Sequence, residues 1–387
     1  MNDDLLFSRR TETALIRKYI FKKDIQMVGH NIIQGIRNSR EARNLGYRKK
    51  DVRARVKRIG GGYQGTKEEF IKVLEYWKPY GIKPARIWYD LYCDGMDAYD
   101  PRFIPDPIWF QRIVPYFNNM SKAPAYNDKG IYNKILKGIE KPDTIVKNME
   151  GYYYDGDDSR LITRAEAEKL CALEDHLIIK PSGGYKGQGI MFFDRGAADG
   201  KSISQIFDTM KCGFVVQRIV KQHADLARLN PDSLNTVRVI SFHFKGEVHI
   251  LSAQLRIGGA GSRVDNVSAG GSACAIKPDG WLHEKSVTRK STWTDETPNG
   301  IKLKDVCIPN YDGIIKAIKN LHRQLPYYDI VGWDFAVRED GTPVFIEFNT
   351  KPGQNQIGGR EPTFGDLSDD VFEEVFIKKT LGKIRGK

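Results

Sequence analysis

The segment VGWDFAVREDGTPVFIEFNT, residues 331–350, decides how this chain is read. Two apolar-rich arms flank Asp340-Gly341, a dipeptide that favours a tight two-residue hairpin turn. Such a turn sets Glu339 against Thr342, and counting back along both arms sets Asp334 against Glu347. Side chains alternate along a strand, so Asn349 shares a face with Glu347. The other face carries Trp333, Phe335, Val337, Val344, Ile346 and Phe348, a set suited to a core. Directly opposed carboxylates destabilise a ladder. A hard divalent cation removes that penalty, and oxygen ligands of this kind suit magnesium. Arg338 or a lysine offers another way to offset the charge in an ordinary half-exposed hairpin.

Upstream, residues 175–194 read DHLIIKPSGGYKGQGIMFFD. An apolar strand ends at Lys180-Pro181, a loop with Gly183, Gly184, Gly187 and Gly189 follows, and a second apolar strand begins. Glycines let backbone N–H groups approach phosphate oxygens, and Lys180 supplies countercharge. No Gly-Lys-Ser/Thr closes the loop and no helix follows, which excludes a P-loop. A loop joining strand to strand is not a dinucleotide fingerprint. In a protein kinase the lysine follows the glycine loop and the metal aspartate sits in Asp-Phe-Gly. Here the lysine comes first and Asp334-Phe335 precedes Ala336. A flexible hairpin would share these glycines; Lys180 beside them and the carboxylate hairpin downstream favour phosphate. Residues 213–223, GFVVQRIVKQH, form an apolar strand that turns polar at Gln217. Such a hinge can offer backbone groups and one side chain to an adenine edge, or it can be a simple strand end.

The 387 residues, 40% hydrophobic and 28% charged, suit a globular protein of two or three domains. No run of about 18 apolar residues predicts a membrane span. The start, MNDDLLFSRR, lacks the pattern of a secretory signal. Cys93, Cys171, Cys212, Cys274 and Cys307 are scattered and read as reduced thiols of a cytoplasmic protein. No histidine spacing of the HExxH kind marks a zinc site. The net charge is +12, and residues 36–58 hold ten basic residues against Glu41 and Asp51, a local excess of +8. Such a segment attracts an acidic polymer or anionic lipid, or it is a solvated helix surface. No nucleic-acid module accompanies it, so no nucleic-acid partner is expected.

Helical patterning covers residues 1–58, 66–80, 127–137, 163–173, 204–210, 312–324 and 368–381. Thr66 with Glu69, and Thr163 with Glu166, have capping-box spacing. Residues 83–124 read as irregular packed structure. Strands are expected at 176–180, 190–194, 213–220, 236–244 and 247–257, besides the hairpin. Without steady β-α-β alternation the fold class is α+β with antiparallel sheets.

In order, Asp128-Lys129, Lys180 with its glycine loop, Gln217, Arg238 in TVRV and Asp334…Glu347-Phe348-Asn349 resemble the ATP-grasp superfamily. More closely, NDKGIYNKIL (127–136), IIKPSGGYKGQGI (178–190), SLNTVRVIS (233–241), RVDNVSAGG (263–271) and VGWDFAVREDGTPVFIEFNTKPG (331–353) look like its sugar-transfer-associated group, found with capsular and surface polysaccharide genes. The resemblance covers residues 120–360. It implies two α+β lobes clasping ATP, at 121–222 and 223–387, after a helical, basic region at 1–120. It implies that Lys129 and Lys180 bind nucleotide phosphates beneath a flap formed by Ser182, Gly183, Gly184, Gly187 and Gly189. Gln217, where many relatives have glutamate, would face adenine or ribose together with Arg218 and Val220. Arg238 would neutralise the transferring phosphoryl group. Asp334, Glu347 and Asn349 would hold one or two Mg2+ ions, or Mn2+. Arg256 and Asn266, Gly270 and Gly271 would approach the acyl phosphate or acceptor.

The implied activity is that of a carboxylate–amine (or hydroxyl) ligase acting through an acyl phosphate. Its partners would be a small-molecule carboxylate and an amine or sugar acceptor, lipid-linked or acidic in character, with peripheral membrane contact through the basic segment. Two alternatives stay open. One is an ATP-grasp kinase acting on a sugar-like hydroxyl, and the other is a nucleotide-binding scaffold without turnover.

Overall fold

The computed structural model describes residues 50–157, 160–183, 188–197, 200–265, 267 and 270–378. The chain divides into two compact units, residues 1–54 and 55–387. Of the first, only residues 50–54 are described, and they are helical. Everything below concerns residues 55–387.

Two antiparallel sheets organise this unit. The first has the strands β1 (Thr144–Met149), β2 (Tyr152–Asp155), β3 (Leu161–Ile162), β4 (His176–Pro181), β5 (Met191–Asp194) and β6 (Phe214–Arg218), in the order β3-β2-β1-β6-β4-β5. The second has β7 (Thr236–Phe244), β8 (Glu247–Ile257), β9 (Ser272–Ile276), β10 (Leu282–Thr288), β11 (Trp293–Thr294), β12 (Ile330–Val337) and β13 (Pro343–Asn349), in the order β11-β10-β9-β8-β7-β12-β13. The α+β expectation therefore holds. Each sheet buries one face. Val146, Leu177, Ile179, Phe214 and Val216 of the first pack on Ala167 and Cys171 of helix α3 (Arg164–Cys171) and on Ile206 and Phe207 of α4 (Ile203–Met210). Val237, Val239, Leu255, Trp333, Phe335 and Phe348 of the second pack on Ile314, Ile318 and Leu321 of α5 (Tyr311–His322). Alternation then sends the intervening residues of each sheet to its opposite face.

The decisive hairpin forms with one correction. Arg338 N–H donates to Thr342 O, so Glu339, Asp340 and Gly341 make a three-residue loop instead of a two-residue turn. Val337 then pairs with Pro343 and Phe335 with Phe345, one step out of the expected register. A bulge at Ile346 takes up the extra residue, and Asp334 returns to its place opposite Glu347. Phe345 consequently enters the core, while Ile346 does not. Arg338 pairs locally with Asp340, Nη2 to Oδ2 at 2.8 Å, and takes no part in neutralising Asp334.

Residues 83–124 are not irregular throughout. They include α2 (Arg86–Tyr92) and several single-turn helices. Together with α1 (Lys67–Trp77), capped by Thr66, they dock on the second sheet and on the C-terminal residues. Trp77 lies 4.7 Å, centroid to centroid, from Phe372 of α6 (Ser368–Phe372). Trp109 Nε1 donates to Pro352 O at 2.8 Å. Buried Asn118 donates to the carbonyls of Ile330 at 2.7 Å and Thr350 at 2.6 Å, fixing the open end of the hairpin. The expected helix at 368–381 starts as α6 and continues as a π-helix over Glu373–Lys378; residues 379–381 lie outside the described ones. β1, β2, β3, β9, β10 and β11 were not anticipated from sequence.

Candidate active site

The polar faces of the two sheets bound one cleft of about 720 Å³, including its open mouth. Ile178, Lys180 and Pro181 of β4 line one wall; Thr236, Arg256, Asp334, Ile346 and Glu347 line the other. Volumes of this order suit a small organic ligand.

Across the second sheet, pairing sets Glu347, Asp334, Arg238, Gln254 and Ala275 in one cross-strand row. A second row holds Thr236, Arg256, Ala273 and Val287. Arg238 grips buried Asp334 as a two-pronged fork, Nε to Oδ1 and Nη2 to Oδ2, the latter at 2.6 Å. Arg256 Nη1 donates to both oxygens of Asp334, at 3.1 and 3.0 Å. Burial alone would raise the pKa of Asp334, but Arg238 and Arg256 outweigh it and hold the carboxyl well below its usual range. Arg256 Nη2 also meets Asp265 Oδ1 at 3.3 Å. The other oxygen of Asp265 accepts from the hydroxyl and the N–H of Thr236. Burial raises the pKa of Asp265, and the charge on Asp334 adds to the rise. Sequence reasoning missed Asp265, although it sits inside the RVDN stretch; its one signal was an acid two residues after Arg263 in a glycine-rich loop.

Lys129 and Lys180 face these acids. Lys129 Nζ lies 3.2 Å from Glu347 Oε2. Its backbone N–H donates to Ser182 O at 3.0 Å, and Ser182 N–H donates to Gly213 O at 2.7 Å, which ties the Lys129 turn to the start of the glycine loop. Asp128 shapes that turn by accepting from Gly130 N–H at 2.8 Å. Burial lowers the pKa of Lys180 to about 8, with Lys129 adding to the fall and Glu347 opposing it. Lys180 stands opposite Val215, which stands opposite Lys147 on β1, so Lys147 shares its face. Lys147 is almost fully buried and donates to Asn133 Oδ1 at 2.8 Å, pinning the segment after Lys129 to the sheet.

The remaining residues divide. Gln217 is paired with Ile178 and shares the cleft face; its Nε2 donates to Thr144 Oγ1 at 3.2 Å. Arg218 points to the other side, where it binds Glu174 at 2.6 Å and Asp143 at 3.3 Å. There the Arg218 side chain forms part of an outer ion-pair cluster. Val220 is half-buried beyond β6. Gly189 has φ +74, and a Cβ there would meet Pro181 Cγ at 3.0 Å. Gly183 and Gly270 stand in open space, Gly270 with φ +102, and Gly271 leads into β9. Gly184, Gly187 and Asn266 lie outside the described residues. Asn349 is opposite Gly332, beside Glu347's row, and its buried Nδ2 has no hydrogen-bond partner among the described residues.

Among the described residues no three His, Cys, Asp or Glu side chains form a metal cluster. Two carboxylates and an amide do share one face, and magnesium commonly takes one or two carboxylates with substrate phosphates. The unpartnered atom of Asn349 is its amide nitrogen, a donor; its carbonyl oxygen is the atom that could meet a cation. The donor set fits a phosphate-bound divalent cation, with Asp334, Glu347 and Asn349 as the residues that would hold it.

The model of the sugar-transfer-associated ATP-grasp family matches residues 111–361. No curated protein matches the chain. Solved structures to which the chain is similar include D-alanine–D-alanine ligase from Bacillus anthracis, with TM-score 0.37, 18% identity, and 69% of this chain over 72% of that one. D-alanyl-alanine synthetase A from Vibrio cholerae gives TM-score 0.39 and 10% identity, covering 67% of this chain and 66% of that one. The ATP-grasp ligase PsnB, in complex with a precursor peptide and AMPPNP, gives 0.38 and 14%, and this chain spans 62% of its length. Superpositions this loose transfer no residue roles.

Proposed function

Since the chain belongs to the sugar-transfer-associated ATP-grasp family, we propose that it is an ATP-dependent carboxylate–amine (or hydroxyl) ligase acting through an acyl phosphate. The observation that carries this reading is that Glu347, Asp334 and Arg256 face Lys129 and Lys180 across one cleft, with Arg238 gripping Asp334 from the neighbouring strand. Phosphoryl transfer needs placement and charge neutralisation more than covalent help from the protein. Lys180 and Lys129 bind nucleotide phosphates from the first sheet's side. Arg256 and Arg238, held rigid by Asp334, meet the charge that develops on the transferring group. A substrate carboxylate oxygen attacks the γ-phosphorus, and the bond to ADP breaks. The acceptor's amine or hydroxyl then attacks the acyl carbon, loses its proton, and inorganic phosphate leaves. Bound Mg2+ would shield phosphate charge at Asp334, Glu347 and Asn349.

The family's sugar association supports a substrate in surface-polysaccharide synthesis, either a sugar uronate joined to an amino acid or an amino sugar that is acylated. No described helix is long and apolar enough to cross a membrane. We place the reaction in the cytoplasm, with the basic stretch 36–58 meeting an acidic saccharide or the membrane face.

The test is incubation with ATP, Mg2+ and a panel of uronic acids, amino acids and amino sugars, read by phosphate release and mass spectrometry. A new amide or ester with ADP and free phosphate is expected. Phosphate left on a sugar hydroxyl would identify a kinase instead, and no ADP with any acceptor would leave a binding protein.

A further inference from the structure

In the loop that leaves β8, Arg263 lines the cleft and reaches across to the first sheet. There its Nη1 donates to Asp194 Oδ2 at 2.5 Å and its Nη2 to Asp194 Oδ1 at 3.3 Å, while the guanidinium carbon stands 3.8 Å from the centroid of Phe192. Phe192 and Asp194 are two residues apart on β5 and so share one face, which lets a single guanidinium meet both. His176 of β4 steadies Asp194 from the other side, Nδ1 to Oδ1 at 2.9 Å. Arg263 first, and His176 after it, hold the Asp194 carboxyl below its usual range against the opposing effect of burial. β5 is an edge strand and the return arm of the hairpin that carries the glycine loop. An exposed ion pair alone contributes little. Here the two-pronged geometry and the ring beneath the guanidinium add to it.

Two residues further on, Asp265 grips the second sheet. Its Oδ1 accepts from Arg256 Nη2 at 3.3 Å, and its Oδ2 accepts from Thr236 N–H at 3.2 Å. The peptide between these two anchors is braced. Ser262 Oγ donates to Val264 O at 2.8 Å and accepts from Val264 N–H at 3.3 Å. Ser262 N–H donates to Gly259 O at 3.0 Å, and Asn230 Nδ2 donates to the same carbonyl at 3.1 Å. Coupling between sites travels through contiguous hydrogen-bonded groups of this kind. One end of the brace holds the arm of the glycine-loop hairpin, and the other holds Arg256.

We propose that Arg263 and Asp265 are positioning residues, which make the placement of Arg256 depend on the seating of β5 against the loop after β8. Arg256 then stands ready for an acyl phosphate only when the nucleotide side of the cleft is assembled. The proposal rests on the ligase reading for what Arg256 does, and not for the linkage itself.

The first measurement is hydrogen exchange at the Thr236 amide in the full-length, nucleotide-free protein, because that N–H is bound to Asp265. Arg263→Ala and Asp194→Asn should each speed it about fivefold while the urea unfolding midpoint stays level, since the opening is local. Arg263→Lys keeps a cation over Phe192 and should recover most of the protection. The second measurement is stopped-flow release of the fluorescent nucleotide mant-ADP in the presence of Mg2+. Arg263→Ala and Asp194→Asn should accelerate it about tenfold, the size expected of a two-pronged pair with a ring contact. If Arg263→Ala lowers the unfolding midpoint, Asp194→Asn, which leaves the ring in place, decides. Thr236 exchange or mant-ADP release left at the wild-type rate by both variants overturns the proposal, as does fast exchange that Arg263→Lys fails to slow. Failure of the wild-type protein to take up mant-ADP would sink the nucleotide reading separately, since exchange is read without nucleotide.

Discussion

Arg238 and Asp334 face each other across the β7–β12 ladder and lock as a fork on a carboxylate, while Arg256 closes on the same two oxygens from the next strand. Asp334 is thus the counterion of two guanidiniums as well as a candidate ligand. Removing one partner of a buried pair leaves an uncompensated charge, which costs about 3 kcal/mol or more. Asp334→Asn should lower the urea unfolding midpoint accordingly. An unchanged midpoint would mean that the pair is solvated and carries no structural weight.

Glu347 has a separate role. It faces Lys129 at 3.2 Å and lies on the row's outer strand. Glu347→Gln should weaken Mg2+-dependent ADP binding at least tenfold, about 1.4 kcal/mol, and leave the unfolding midpoint nearly unmoved. Calorimetric titration with and without Mg2+ separates the two effects.

Lys180, with its pKa lowered to about 8, should lose its charge as pH rises through that value in the free protein. Phosphates favour the charged form, so nucleotide binding should take up protons near pH 8 and weaken toward pH 9. Calorimetry in buffers of different ionisation heat reads the uptake. Lys180→Arg keeps its charge and should abolish both effects, and a wild type that takes up no proton would contradict the assignment.

His322 is buried between Ser241 Oγ at 2.8 Å and Tyr328 O at 2.9 Å, with a pKa lowered by burial to about 4. Between pH 6.5 and 4 the unfolded chain binds this proton and the folded one does not. Stability is therefore lost as pH falls through that window, by up to about 3 kcal/mol. Chemical denaturation of wild type and His322→Gln across this range should show the slope flatten in the variant.

Much of the fold and site was written into local pattern. β7 and β8 have the expected bounds, because their apolar alternation is strong and their turn is short. Asp334 opposite Glu347 was also legible, but by a compensation that sequence cannot reveal: the loop gained a residue and the bulge at Ile346 absorbed it. β1 was not legible, since Lys147 and Asn148 sit in its middle and are nearly fully buried, which polarity argues against. β9 and β10 were hidden by a glycine-bounded turn and by His283, Glu284 and Lys285. The neutralising partners of Asp334 come from β7 and β8, 96 and 78 residues upstream. Only tertiary pairing selects them over the nearby Arg338.

The docking of Trp77 and Trp109 against Phe372 and Pro352 bears on how the protein can be dissected. Family similarity begins at residue 111, which tempts one to excise the enzyme there. A fragment cut at that point would strip the aromatic cover from α6 and unpin the segment that follows the hairpin. What looks like a removable leader from residue 67 onward is part of the fold's own foundation.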